Sequence, residues 1–284
     1  MSQIIVGVDE SDGAATALRW AVDEGAVRGW AVKAVLAWDF LDQHHLDESF
    51  DPGFDQAAAD KVLAAAVTRA VGDEAAEAID KQAVCGRAVT VLTGQATGHD
   101  LLVVGARGMG GFTRLLLGSV SDHCLQTAAC PVAVIRRTDA AAGARGRVVV
   151  GVDGSETAQR ALHWALAEAR LRSATLEVVH AWRLPIVGGM YATVALDDAV
   201  SEDLARHTVE AALAKEDLAG VTVEHTLLCA SPAEALLNAA GCADLVVVGS
   251  RGLGGLKRVL LGSVSRQVAH HTHCPIVVVP PPDR

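Results

Sequence analysis

A chain of 284 residues, 51% of them hydrophobic, can bury the core of one large domain or of two ordinary ones. Charged residues make up 20% and the net charge is −10, a balance that repels nucleic acid and anionic membrane surfaces. Six cysteines with no CxxC pair among them argue against a disulfide framework and suit a reducing compartment.

The opening residues, MSQIIVGVDE, read as a first strand and not as a basic, apolar, cleavable leader. The longest apolar runs, such as VVVGV at 148–152, are too short to cross a bilayer. The expectation is a cytoplasmic protein that partners neither membrane nor nucleic acid.

In chain order, IIVGV at 4–8 predicts a buried strand, followed by a helix with Ala14, Leu18, Ala21, Val22 and Val27 on its inner face. AVKAVLAW at 31–38 is a second strand. After an acidic stretch without period at 42–54, Asp55 is placed to cap a helix through KVLAAAVTRAV. A weaker strand lies near 80–85, then a short helix, then LLVVG at 101–105, a helix from about Gly118, and PVAVI at 131–135. The second half repeats the order with VVVGV, LEVVHAW, VTVEHTLL, DLVVVG and PIVVV.

The repetition is close. Residues 105–121, GARGMGGFTRLLLGSVS, and 249–265, GSRGLGGLKRVLLGSVS, agree at 12 of 17 positions. The same shift of 144 residues sets Gly7 on Gly151, Asp9 on Asp153, Trp20 on Trp164, Trp38 on Trp182, Asp100 on Asp244, Gly118 on Gly262 and Pro131 on Pro275. So long a period means a duplicated domain, because solenoid repeats recur every ~20–50 residues. Domains at 1–138 and 147–284 joined by a small, polar linker at 139–146 follow.

Five strands alternating with four helices in each half predict a parallel sheet covered on both faces, a Rossmann-like α/β domain. Such sheets take ligands beyond the carboxyl ends of their strands, where the winding reverses. The strand ends at Gly7–Asp9 and at Gly105 should flank that crevice.

Gly105, Gly108, Gly110 and Gly111 follow a buried strand, and Gly118 and Ser119 open the next helix. Glycine lets backbone N–H groups approach a ligand, and a helix start offers unpaired N–H groups and a favourable dipole. Phosphate binding and an ordinary glycine-rich turn are both open readings of one copy; two copies favour phosphate. The P-loop form is absent, and GxGxxG fails where Thr113 and Lys257 replace its third glycine.

The pattern Gly105, Gly108, Gly118, Ser119, repeated as Gly249, Gly252, Gly262, Ser263, resembles the ATP-binding motif of the universal stress protein family. The first strand with its terminal Asp, the tryptophan-bearing first helix and the closing CP-apolar strand are similar too, so that the chain resembles a tandem member with an adenine nucleotide alpha hydrolase-like fold. The resemblance implies one ATP per half, two per chain, with Mg²⁺ possible beside it. Asp9 and Asp153 would then accept from ribose hydroxyls. The main chain at Ala37 and Ala181 would meet the adenine edge. Gly105, Gly108 and Gly111, with Gly249, Gly252 and Gly255, would admit ribose and phosphates. Ser119, Val120 and Ser121, with Ser263, Val264 and Ser265, would receive phosphate. Gly7, Ala106 and Gly110, and Gly151, Ser250 and Gly254, complete the two sets. Arg107 and Arg251 are either phosphate ligands or solvent-facing loop cations, with equal weight.

No base stands beside the loop in the sequence, so a ligand-binding regulator of the stress response leads, without rapid turnover. Slow ATP hydrolysis or phosphotransfer on the same scaffold is the alternative. GVDES and GVDGS depart from the SGGxDS loop of related pyrophosphatase-type enzymes. His270, His271, His273 and Cys274 are read as a helix C-terminus and not a metal site, Cys130 and Cys274 as buried, and the repeated tryptophans as packing residues. The resemblance also implies that PVAVI and PIVVV pair the two halves and that the chain forms a homodimer.

Overall fold

The computed structural model describes residues 2–39, 55–108, 116–136, 146–182, 198–253 and 260–282. The acidic stretch at 42–54, the linker up to 145, and Gly110, Gly111, Gly254 and Gly255 lie outside the described residues. The chain divides into two compact units, one taking in Met1–Thr138 and the other Asp139–Pro282.

In the first unit the strands are β1 (Gln3–Gly7), β2 (Ala31–Trp38), β3 (Asp80–Cys85), β4 (Leu101–Gly105) and β5 (Val132–Ile135). They pair in parallel in the order β3-β2-β1-β4-β5. The helices are α1 (Asp12–Arg28), α2 (Gln56–Val71), the short α3 (Asp73–Glu77), α4 (Ala88–Gln95) and α5 (Ser119–Thr127). The second unit repeats the plan with β6 (Arg147–Gly151), β7 (Thr175–Trp182), β8 (Val223–Cys229), β9 (Leu245–Gly249) and β10 (Ile276–Val279), paired as β8-β7-β6-β9-β10. Its helices are α6 (Glu156–Arg172), α7 (Asp198–Leu213), α8 (Pro232–Ala240) and α9 (Ser263–His271). Each half is thus a Rossmann-like α/β domain, as expected, with α3 the one element of the described residues that the repeat did not foretell.

The apolar runs become the central strands because both faces of each sheet are covered. Ile4, Ile5 and Val6 in β1 and Val148, Val149 and Val150 in β6 have no exposed surface. The winding reverses between β1 and β4, with Val6 opposite Val103, and between β6 and β9, with Val150 opposite Val247. Asp100 and Asp244 recur for a structural reason: Gln3 N donates to Asp100 Oδ1 at 3.0 Å and Arg147 N to Asp244 Oδ2 at 3.0 Å, tying the start of each central strand to its later neighbour.

Ser11 caps α1 by accepting from Ala14 N at 3.1 Å, and Ser155 caps α6 by accepting from Ala158 N at 3.2 Å. Gly29 ends α1 in the left-handed region at φ 66°; Ser173 takes the same conformation at φ 51° after α6. The inner face of α1 differs from the sequence expectation. Val27 is 46% exposed and Val22 half-buried, while Glu24 and Gly25 are inside with Ala14, Ala17, Leu18 and Ala21. A buried glutamate won that position because Arg28, one turn on, donates to it.

Cys130 and Cys274 are buried, and the four repeated tryptophans are half-buried. His270 and His271 fall in the last turn of α9.

Candidate functional site

The carboxyl ends of β1 and β4 bring Asp9 under the loop that follows Gly105. Asp9 Oδ1 accepts from Ser11 N at 2.9 Å and from the Ser11 hydroxyl, so one carboxylate oxygen organises the turn into α1. Over the other oxygen lies Gly108: a Cβ there would stand 2.5 Å from Asp9 Oδ2, closer than any side chain tolerates. The second half repeats this arrangement. Asp153 Oδ1 accepts from Ser155 N at 3.0 Å, Oδ2 accepts from Leu253 N at 3.0 Å, and a Cβ on Gly252 would collide with Oδ2. The carboxylate at the end of the first strand therefore fixes the glycine loop at the end of the fourth.

Gly105 and Gly249 serve close packing. A Cβ at Gly105 would lie 2.6 Å from the backbone of Gly13, and one at Gly249 would lie 2.8 Å from that of Thr157. Gly7 and Gly151 likewise back onto Leu92 and Leu236, at 2.9 and 3.0 Å from a Cβ.

The loop returns at Gly118 and Gly262, whose amides donate to Ala106 O at 2.8 Å and Ser250 O at 2.7 Å. These glycines are the N-caps of α5 and α9, and neither helix has a side-chain cap. The N–H groups of the first turn, on Ser119, Val120 and Ser121 and on Ser263, Val264 and Ser265, have no intrahelical partners and face an anion-favouring dipole end. The Ser121 and Ser265 hydroxyls are not part of that donor set. They point back to the strands, donating to Gly105 O at 2.6 Å and Gly249 O at 2.5 Å, and so lock each helix start to its strand.

Ala37 and Ala181 sit one residue before the ends of β2 and β7, beside β1 and β6. Arg107 is exposed; Arg251 is half-buried, and its Nε has no hydrogen-bond partner among the described residues. Ser250 Oγ is in the same condition, in a residue 1% exposed, where the first half has Ala106. The sequence reading did not single out Ser11, Ser155, Gly13 or Thr157, which set the shape of each loop. An S-x-x-A cap directly after the first-strand Asp was the available signal for the two serines.

The model of the universal stress protein family matches the chain twice, over residues 1–136 and 144–280. A universal stress protein of Mycobacterium tuberculosis is 32% identical over 289 residues, covering 97% of this chain and 95% of its own length. One from Mycolicibacterium smegmatis is 32% identical over 299 residues, covering 98% and 97%. The crystal structure of a universal stress protein from Archaeoglobus fulgidus superposes with a TM-score of 0.69 at 22% identity, covering 98% of each chain, and supports the fold. The chain belongs to the universal stress protein family and carries two family domains in tandem.

Proposed function

We propose that each domain binds one ATP at the carboxyl ends of its strands, and that the bound nucleotide acts as a regulatory ligand in the stress response without rapid turnover. One observation carries the reading: in both halves a carboxylate lies directly beneath a side-chain-free loop residue and beside a helix start with no capping side chain. The bare loop gives a phosphate chain access to backbone N–H groups, and the uncapped helix supplies donors for its oxygens. Asp9 and Asp153 each keep one oxygen on an amide of the turn, which suits a fixed acceptor for a ribose hydroxyl. Mg²⁺ would enter with the phosphates, since one carboxylate per site is a poor cage by itself. Ala37 and Ala181 would offer main-chain groups to the adenine edge.

The same reading takes the cytoplasm as the place of action, in keeping with exposed thiols at Cys85, Cys229 and Cys242. No described helix is long and apolar enough to cross a membrane. It also includes pairing of the halves through their last strands and a homodimer, tested by domain-resolved proteolysis and sedimentation of Val134→Asp and Val278→Asp.

Mass spectrometry of the purified, denatured protein is the direct test. Co-purified ATP approaching two per chain, or its uptake on incubation, is expected, with ADP accumulating only over hours. Absence of uptake would overturn the reading. Fast ADP release abolished by Asp9→Ala would replace it with hydrolysis.

A further inference from the structure

We infer that the two ATP sites are unequal, the second binding more tightly, and that the residue at the second position of the following helix, Gly13 in one half and Thr157 in the other, sets much of the difference. The inference rests on the ATP reading of both sites.

The loops are nearly identical in sequence, yet they meet different helix starts. In the first half the Arg107 carbonyl settles onto α1 so closely that a Cβ on Gly13 would overlap its oxygen. In the second half the same position is Thr157, a buried residue whose Cβ forbids Arg251 the placement that Arg107 takes. The Arg107 peptide is therefore seated on its helix, and the Arg251 peptide is held off the equivalent place.

The seated Arg107 peptide must lift before a ligand can use its backbone, and that requirement weakens apparent affinity in proportion to the time it is seated. The second loop also carries two polar atoms with nothing to bond among the described residues, Ser250 Oγ and Arg251 Nε. Ala106 has no hydroxyl to match the first, and Arg107 is exposed. Unpaired buried polar atoms are rare, and a bound anion is a ready partner for both.

The helix starts point the same way. Asp122 places a carboxylate in the first turn of α5, whereas the equivalent residue of α9 is Arg266, and α9 has no acid in its first turn. Phosphate is repelled at one and attracted at the other.

The test is calorimetric titration of the full-length chain with ATP, each site being silenced in turn by Asp9→Ala or Asp153→Ala. The second site is expected to have a Kd at least fivefold lower than the first. Thr157→Gly, which lets the second loop seat, should bring the two within about twofold. Gly13→Thr should tighten the first site; because its Cβ also crowds the Arg107 carbonyl, Arg266→Asp supplies an independent check and should weaken the second site alone. Equal affinities in the parent chain, or a gap untouched by Thr157→Gly, would overturn the inference while leaving ATP binding intact. A chain that binds no ATP at either site would instead overturn the functional reading on which it rests.

Discussion

Arg28 donates to Glu24 one turn earlier on α1, and the Glu24 side chain has no exposed surface. Arg28 is itself only 7% exposed and its guanidinium lies 5.0 Å from the centre of the Trp30 ring. The pair recurs as Arg172 on Glu168 in α6, where the glutamate is again fully buried but the arginine is 30% exposed. Removing one partner of a buried pair leaves an uncompensated charge, at a cost of about 3–5 kcal/mol. Arg28→Ala should destabilise by that amount in denaturant unfolding, and Arg172→Ala by clearly less, because water reaches that side of the pair. Equal effects would show that solvent access does not govern the two pairs.

The glycine over each first-strand aspartate makes a second prediction. Gly108→Ala puts a methyl group 2.5 Å from Asp9 Oδ2, so loop and carboxylate must part. ATP retention by the first domain should fall about tenfold or more, equivalent to ~1.4 kcal/mol, with little change in the circular dichroism spectrum. Gly252→Ala should do the same to the second domain. Unaltered retention in both variants would remove the loop from the binding site.

Thiol chemistry separates the cysteines. Burial, reinforced by Cys130 nearby, raises the Cys124 thiol to about 12, and burial raises Cys130 to about 12 as well. A thiolate reagent at pH 8 should therefore modify Cys85, Cys229 and Cys242 and spare Cys124 and Cys130 until the protein unfolds. These raised values also predict alkaline loss of stability. Unfolded thiols release their protons near 9, folded ones near 12, so above pH 9 the unfolded state binds fewer protons and is favoured. The penalty is up to about 1.4 kcal/mol per pH unit for each thiol. Replacing both with alanine should flatten the unfolding midpoint against pH between 9 and 12.

Ser173 holds a left-handed backbone that costs an L-residue about 1–2 kcal/mol. Glycine removes that strain but adds about 0.5–1 kcal/mol of chain entropy to the unfolded state. Ser173→Gly should raise stability by about 0.5 kcal/mol, read as a shift in the denaturant midpoint. A loss would mean that the serine side chain contributes more than its backbone strain.

Much of the fold was legible because fully buried parallel strands write themselves as short β-branched runs, and VVVGV and LLVVG could hardly be anything else. The 144-residue shift then fixed the domain count without any knowledge of contacts. The inner face of α1 was harder to read. Its periodicity offered Val27 an inward place, and nothing in a linear reading reveals that Glu24 goes in because Arg28 and Trp30 accompany it. At the candidate site, the sequence singled out the aspartates and glycines. It did not expose the mutual exclusion of Gly108 and the Asp9 carboxylate, which arises between residues 99 positions apart and only once β1 and β4 are neighbours. The contrast between Gly13 and Thr157 was equally hidden, since it lies outside the repeated motif.

The parallel pairing of β1 with β4 also constrains the order in which the molecule can be built. β1 is synthesised well before β4, and because Ile4 pairs with Leu101 the central strand of the first unit must wait for almost a hundred further residues. Val148 waits as long for Leu245. During each wait a strand with an apolar middle is without one of its two neighbours, and non-local pairing of this kind is slow to form and exposed to wrong partners. Tandem duplication limits the hazard: the first unit has all five of its strands before β6 is synthesised, so two similar apolar strands need not be unpaired on the same nascent chain at once.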